Sequence, residues 1–369
     1  MNPETHEPLP MDEPLDVRGS PEAMAVARIL DANANRAREG LRVVEDYCRF
    51  VLDDATLCGA LKDLRHEMTA ILAQVGLFAT AGLAARDTSG DVGTSLATAS
   101  ERQRQALADV VRANWKRWQE AARCLEEYCK LDYPEAGLRL EQLRYRGYTL
   151  EKAVTLGGAA RQRLADAHLY VLLTGACCAA SLDWTIQEAA AGGATIVQLR
   201  EKNLSDRELL DRARNVRRWT RQAGVLFIIN DRPDLARLAQ ADGVHLGQDD
   251  LPVREARRIV GSDALIGVST HDLDQVRQAV LDGADYIGVG PTFPSATKDF
   301  TEFPGLEFVR QAIAATSLPA FVIGGVTLDN VADVVAAGAC RVAVSQAVCQ
   351  SDDPRQTAAE FARRLGYSG

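Results

Sequence analysis

No stretch of about 18 apolar residues runs anywhere in this 369-residue chain, so the sequence offers no helix to cross a bilayer. A basic excess is missing too. Forty-two lysines and arginines against 51 aspartates and glutamates leave a formal charge of −9. That balance argues against nucleic acid or an anionic membrane as the main partner, so basic residues at a site are local devices for an anion. The opening MNPETHEPLPMDEPLD is acidic and proline-rich and lacks the basic start and apolar stretch of a signal peptide, which points to a cytoplasmic protein. Paired CxxC units are absent, and the five histidines lie far from the eight cysteines. A structural zinc site is therefore not indicated, and without an export signal the thiols read as reduced packing residues. No GxGxxG opens a helix and no GxxxxGK[ST] occurs, so neither dinucleotide nor Walker-type nucleotide binding is signalled.

What is present divides in two. The length suits two domains of roughly 150 residues each. Residues 1–20 read as a disordered tail. Residues 21–152 are rich in Ala, Leu, Arg and Glu, with apolar positions three and four apart, and predict an all-α domain. Residues 153–167, around Gly157-Gly158, read as a linker. From 168 to 369 short apolar strands alternate with amphipathic helices.

The helical part contains an internal repeat. Asn33, Arg36, Glu39, Arg42, Glu45, Tyr47 and Cys48 recur 81 residues later as Asn114, Arg117, Glu120, Arg123, Glu126, Tyr128 and Cys129. Leu61-Lys-Asp-Leu64-Arg65 echoes Leu140-Glu-Gln-Leu143-Arg144, so two copies of one helix pair are expected to form a pseudo-twofold bundle. The repeated charges make either a solvated ladder of i,i+3 pairs or a polar site shared between the copies. Between the copies lies RDTSGDVGT (86–94), which suits an anion loop or an ordinary connector.

In the second half, strands are expected at 168–174, 195–200, 226–231, 243–247, 265–270, 286–290, 320–325 and 341–348. Helices follow, among them 206–222, 253–260, 273–282 and 329–337. Eight alternations in about 200 residues predict a (β/α)8 TIM barrel, with an open doubly wound sheet as the fallback. Side chains at the C-terminal strand ends would then share one mouth. Those ends carry Gln198, Arg200 and Lys202, then Asn230-Asp231, Gly247 to Asp250, Ser269 to His271, the loop bearing Lys298, Gly324-Gly325 and Val344-Ser345. Arg200, Lys202 and Lys298 suit a polyphosphate. Asp231 and Asp250 suit one Mg2+, and Gly324-Gly325 with Ser345 suit a second phosphate. Blander roles stand beside these. Asp231 and Asp250 could each cap a helix. Thr270 and His271 could cap or pack, and His245 could be a hydrogen-bonded core residue.

The motifs QLREK (198–202), IIND (228–231), VHLGQDD (244–250), IGVSTH (266–271), YIGVGPTFPSATK (286–298), VIGGVTLDN (322–330) and VAVSQAV (342–348) together resemble thiamine phosphate synthase over about residues 168–350. The resemblance implies a transferase that joins hydroxymethylpyrimidine diphosphate to a thiazole phosphate, with Mg2+, and releases diphosphate. It implies that Gln198, Leu199, Arg200, Glu201, Lys202, Asn230, Ser269 and Lys298 hold the pyrimidine diphosphate, with Arg200, Lys202 and Lys298 catalytic. Asp231 and Asp250 would bind the metal. Ser295, Ala296, Thr297, Gly325, Val344 and Ser345 would hold the thiazole phosphate. No general base is needed for such a displacement, which suits a mouth without a His–Asp or Cys–His pair.

The repeated ANxxRxxExxRxxE[DE]YC pattern and the 86–94 loop resemble a helical family of hydroxymethylpyrimidine phosphate kinases. That implies ATP as a substrate of the first half, with Arg36, Arg42, Arg117 and Arg123 as candidate phosphate contacts. The alternative is a thiazole tautomerase-like barrel carrying a non-catalytic dimerisation or docking module. The expected partners are small molecules, with homo-oligomerisation left open.

Overall fold

The structure is a computed structural model and describes residues 20–77, 103–294 and 303–367. The tail to residue 19, the 86–94 loop and Ser295, Ala296, Thr297 and Lys298 lie outside the described residues. Two compact units divide the chain: Met1–Val51 with Cys58–Glu151, and Leu52–Leu57 with Lys152–Gly369.

Among the described residues, the first unit is built from the helices α1 (Pro21–Phe50), α2 (Ala55–Gln74, its first three residues counted in the second unit), α3 (Leu107–Asp132) and α4 (Pro134–Arg163, counted in the second unit from Lys152 on). Ser20 caps α1 by accepting from Ala23 N–H at 3.1 Å, ahead of Pro21 at the first helical position. The two copies of the repeat, α1 and α3, pack against each other. Their buried stripes fall at equivalent places: Leu30, Ala34, Ala37, Leu41, Val44 and Cys48 in one, Val111, Trp115, Trp118, Ala122, Leu125 and Cys129 in the other. Alternating spacings of four and three keep each stripe on one helix face. Where the first copy has alanine the second has tryptophan, so volume is shared unequally across a symmetric frame. The helices approach closely at Gly40, where a Cβ would lie 2.9 Å from Asn114 O.

The repeated polar residues serve the fold. Asn33 and Asn114 each donate to the carbonyl four residues earlier, at 2.8 Å. Buried Glu45 accepts from Arg65 Nε at 3.0 Å and from Arg42 at 3.1 Å. Its counterpart Glu126 accepts from Arg144 Nε at 2.9 Å, Arg123 at 2.6 Å and Lys130 at 2.8 Å. Burial opposes ionisation of Glu126, but the Lys130 and Arg144 hydrogen bonds outweigh it and hold the carboxyl below the usual range. The charge ladder is thus partly buried rather than merely solvated. Arg36 and Arg117 are exposed.

The second unit is a closed barrel of parallel strands in the order β1 to β8: Leu169–Leu173, Ile196–Leu199, Leu226–Asn230, Gly243–Leu246, Leu265–Thr270, Tyr286–Val289, Ala320–Val322 and Val342–Val344. Around it run α5 (Leu182–Ala191), α6 (Asp206–Ala223), α7 (Pro233–Leu238), α8 (Val253–Val260), α9 (Leu273–Asp282), α10 (Gly305–Ala315), α11 (Val331–Ala336), α12 (Gln346–Cys349) and α13 (Pro354–Arg364). The interior is filled by Tyr170, Ile196, Ile228, Leu265, Tyr286, Phe321 and Ala343, closed below by Leu164 and Ala167. Gly267 makes room for Tyr286, because a Cβ there would sit 2.1 Å from the ring. At the N-terminal strand ends, charge is consumed structurally. Asp242 takes two bonds from Arg217 and one from Phe227 N–H, and Asp285 takes Ile266 N–H and Arg257. Among the described residues no helix is long and apolar enough to cross a membrane.

Two boundaries differ most from expectation, while the seventh strand, expected to 325, ends at Val322. The segment read as a linker is helical to Arg163, because Ala and Leu around Gly157-Gly158 carry the helix across the pair. The eighth strand stops at Val344, and Gln346–Cys349 is a helical turn. Short apolar runs such as QAVC do not distinguish strand from helix by pattern.

The buried Glu126–Arg144 pair makes a stability prediction. Glu126→Gln leaves Arg144 without its counter-charge and should cost about 3 kcal/mol or more in chemical denaturation. Tyr148→Phe, which removes only a neutral partner of Arg144 at 3.0 Å, should cost about 1 kcal/mol. Since the Glu126 carboxyl is held low, its stabilising contribution is present above the ordinary carboxylate pKa and is lost as pH falls through the depressed one. Equal losses in the two variants would refute the pairing.

Candidate active site

A cavity of about 670 Å³ opens at the C-terminal ends of the strands. Strand alternation decides which part of QLREK reaches it. Gln198, Arg200 and Lys202 line the cavity. Leu199 is buried, at 1% exposure, and does not line it. Glu201 likewise points elsewhere, accepting Gly175 N–H at 2.8 Å and pairing with Arg212. Of the described residues expected at the site, Asn230, Asp231, Asp250, Ser269, Gly325, Val344 and Ser345 all line the same cavity.

Asp231 and Asp250 come from neighbouring loops, and neither caps a helix. The N-cap of α7 is Arg232 and that of α8 is Pro252, both without a side-chain capping bond. Asp231 adopts a left-handed backbone with φ 62° and donates its N–H to His245 O at 2.8 Å. That conformation is uncommon outside glycine and turns the side chain out of line with the strand. Asp250 accepts Gly247 N–H at 2.7 Å, closing its own loop. The two carboxyls meet. Burial first, and the Asp250 carboxyl second, push Asp231 up to about 6, against the pull of Lys202 and Arg200.

Two carboxylates in mutual repulsion beside two cationic side chains form a donor set short of positive charge at its centre. Among the described residues no three His, Cys, Asp or Glu side chains cluster as metal ligands. The set fits a hard cation that takes one or two carboxylates and completes its shell with water and phosphate oxygens.

Across the cavity, Gly324 and Gly325 have φ of 96° and 63°, a conformation that glycine adopts without strain. Beside them Ser345 donates its Oγ to Leu172 O at 3.0 Å. The cavity floor holds a chain of polar contacts that sequence reading missed. Gln198 Nε2 donates to Tyr170 OH at 2.7 Å, and the Tyr170 and Tyr286 hydroxyls are 3.1 Å apart. His245 lies 3.3 Å from Tyr286 OH through Nδ1 and 2.9 Å from Ser269 Oγ through Nε2. The expectation that His245 is hydrogen-bonded holds, but it also lines the cavity. Gln198 is 2% exposed, and its Oε1 has no hydrogen-bond partner. Thr270 is buried with its hydroxyl on Gly288 O, whereas His271 lines the cavity and Asp272 caps α9. The missed tyrosines, with Phe321, sit inside apolar strand runs, where an aromatic residue reads as filling.

The chain matches the thiamine monophosphate synthase family over residues 169–348 and the ThiD2 family over residues 28–153. It is 46% identical over 345 residues to the thiamine-phosphate synthase of Gloeobacter violaceus, covering 93% of this chain and 98% of that protein. The chain belongs to the thiamine-phosphate synthase family. The synthase of Rhodopirellula baltica is 44% identical over 346 residues, covering 91% of this chain and 92% of that protein. In structure, the thiamine phosphate pyrophosphorylase of Pyrococcus furiosus superposes with a TM-score of 0.50 at 33% identity, covering 55% of this chain and 96% of that one. As a thiamine-phosphate synthase, the chain is a transferase of thiamine biosynthesis.

The carboxylate pair gives a test of this synthase site in the absence of metal. With its pKa raised above the unfolded value of 3.8, Asp231 favours the fold when protonated, and the fold loses stability as pH rises from there through about 6. Asp231→Asn should therefore raise the thermal midpoint by a degree or more at pH 7.5 in chelator, and by much less near pH 4. A lower midpoint at pH 7.5 would refute the unfavourable ionisation of Asp231.

Proposed function

We propose that the cavity holds the pyrimidine diphosphate and the thiazole phosphate side by side, with each anion assigned to its own wall. The observation that carries this reading is the meeting of Asp231 and Asp250 next to Arg200 and Lys202, opposite Gly324-Gly325 and Ser345. Asp231 and Asp250 hold Mg2+, which when bound screens the diphosphate and stabilises the charge it gains on leaving. Arg200, Lys202 and Lys298 bind the same diphosphate, the arginine as a fork and the lysines as point charges. The partnerless Gln198 Oε1 accepts from the exocyclic amine of the pyrimidine, with Tyr170 fixing which way the amide faces. Gly325, Val344 and Ser345, with Ser295, Ala296 and Thr297, hold the thiazole phosphate.

In the reaction, the bond between the pyrimidine methylene and the diphosphate oxygen breaks, and its electrons leave with diphosphate. The positive charge spreads into the aminopyrimidine, and the thiazole nitrogen donates its lone pair to form the new C–N bond. The side chains need only align the two partners and stabilise developing negative charge. Arg200→Ala or Lys298→Ala should lower turnover about a hundredfold or more, as loss of an oxyanion donor does elsewhere. Wild-type rates would defeat the assignment. Tyr170→Phe should raise KM for the pyrimidine diphosphate more than it lowers kcat, since it frees the Gln198 amide to turn. An unchanged KM would remove Gln198 from the pyrimidine contact.

For the helical unit we infer phosphorylation of the pyrimidine monophosphate by ATP, supported by the ThiD2 family match over residues 28–153. The exposed Arg36 and Arg117 are its candidate phosphate contacts; Arg42 and Arg123 already pair with Glu45 and Glu126. Full-length Arg200→Ala enzyme, given pyrimidine monophosphate and ATP, should accumulate the diphosphate. No accumulation from folded protein would favour a docking module.

A further inference from the structure

We propose that Cys178 and Cys349 form a reversible disulfide at the rim of the barrel and that this bond weakens the phosphate end of the cavity. Cys178 follows the short turn Gly175–Cys177 after β1, and Cys349 ends α12 after β8. Barrel closure makes β1 and β8 neighbours, with Val171 opposite Val344. The backbones meet where Ala179 N–H donates to Cys349 O at 2.8 Å. Both thiols turn toward the same strand end: Cys349 Sγ lies 3.3 Å from Leu172 O, and Cys178 Sγ 3.5 Å from Thr174 O. All eight cysteines are free in this structure, and the Ala179–Cys349 backbone bond draws the two cysteine-bearing segments together.

The two thiols are unequal in the way a reactive pair requires. Cys178 is half-buried and reachable from solvent, whereas Cys349 is 1% exposed. The Cys349 S–H can turn to donate to Cys178, which lowers the Cys178 pKa and raises that of Cys349. Cys178 is thus the attacking thiolate and Cys349 the resolving thiol. With a peroxide as oxidant, the Cys178 thiolate attacks one peroxide oxygen, the O–O bond breaks, and hydroxide leaves to take up a proton as water. The Cys349 sulfur then attacks the sulfenic sulfur and expels a second water. Two thiols and one hydrogen peroxide become one disulfide and two waters. A dithiol reductant reverses it by exchange.

The consequence for the cavity runs through one carbonyl. Leu172 O receives both Cys349 Sγ at 3.3 Å and Ser345 Oγ at 3.0 Å. Cys349 N–H also donates to Ser345 O at 2.9 Å, so the two residues are the ends of a single helical turn. Drawing Cys349 to Cys178 pulls on that turn and on Ser345, which lines the cavity. The bond itself does not depend on the reaction proposed above; its effect on one substrate rests on Ser345 being a thiazole phosphate contact.

The experiment uses reduced full-length enzyme, whose turnover is recorded first, so failure of the functional reading is seen before oxidation begins. Hydrogen peroxide is then added at about one equivalent, free thiols are alkylated, and cross-linked peptides are mapped by mass spectrometry. A Cys178–Cys349 bond is expected, with KM for the thiazole phosphate raised about fivefold, the scale of one lost hydrogen bond, and restored by dithiothreitol. KM for the pyrimidine diphosphate should move far less. Cys178→Ser and Cys349→Ala should each abolish the bond and the shift, and Cys177→Ser should keep both. Absence of the bond, a bond to Cys177 instead, or a Cys178–Cys349 bond with both KM values unchanged would each overturn the proposal.

Discussion

Two carboxyl groups in the mouth of the barrel are brought together at a cost. Asp231 and Asp250 repel each other in a half-buried mouth, and the chain holds Asp231 in a left-handed conformation to bring them there. Neither carboxyl caps a helix, and Arg200 and Lys202 offset the repulsion only in part. Such an arrangement lowers the stability of the free protein once Asp231 ionises. The opposite end of the barrel shows the contrast. There Asp242 and Asp285 are matched by arginines and backbone N–H groups, so nothing remains for a ligand to supply.

Much of this was legible in the sequence because parallel barrel strands are buried on both faces and read as short apolar runs. The eight strands fall within a few residues of expectation, and the charged residues expected at their C-terminal ends converge wherever they are described. The period of two also separates Gln198, Arg200 and Lys202 from Leu199 and Glu201, although the motif as a block does not. The polar chain Gln198–Tyr170–Tyr286–His245–Ser269 was hidden for a different reason. Each of its aromatic members lies inside an apolar run, and only closure of the barrel brings β1, β2, β4, β5 and β6 side chains to one floor. Gly267, small where its neighbours are branched, was the faint local signal that a large ring needed room.

In the helical unit the repeat was plain, but its meaning was not. Identical residues at equivalent positions can mark a shared site or a shared way of folding. Asn33 and Asn114 satisfy their own helices, Cys48 and Cys129 fill equivalent core positions, and Glu45 and Glu126 each bury a charge against an arginine from the following helix. Those duties account for much of the repeat without a ligand. They leave Arg36 with Arg117 and Glu39 with Glu120 as repeated residues that are exposed to solvent.

On the proposed reading, Asp231 and Asp250 are the pair that would hold a cation. Carbon-detected NMR titration of the Asp231 carboxyl reads this directly. In metal-free enzyme the account predicts a midpoint near 6, falling toward the ordinary carboxylate value of about 4 or below once Mg2+ and diphosphate are added. A midpoint already near 4 without metal, or one that ignores Mg2+, would contradict it.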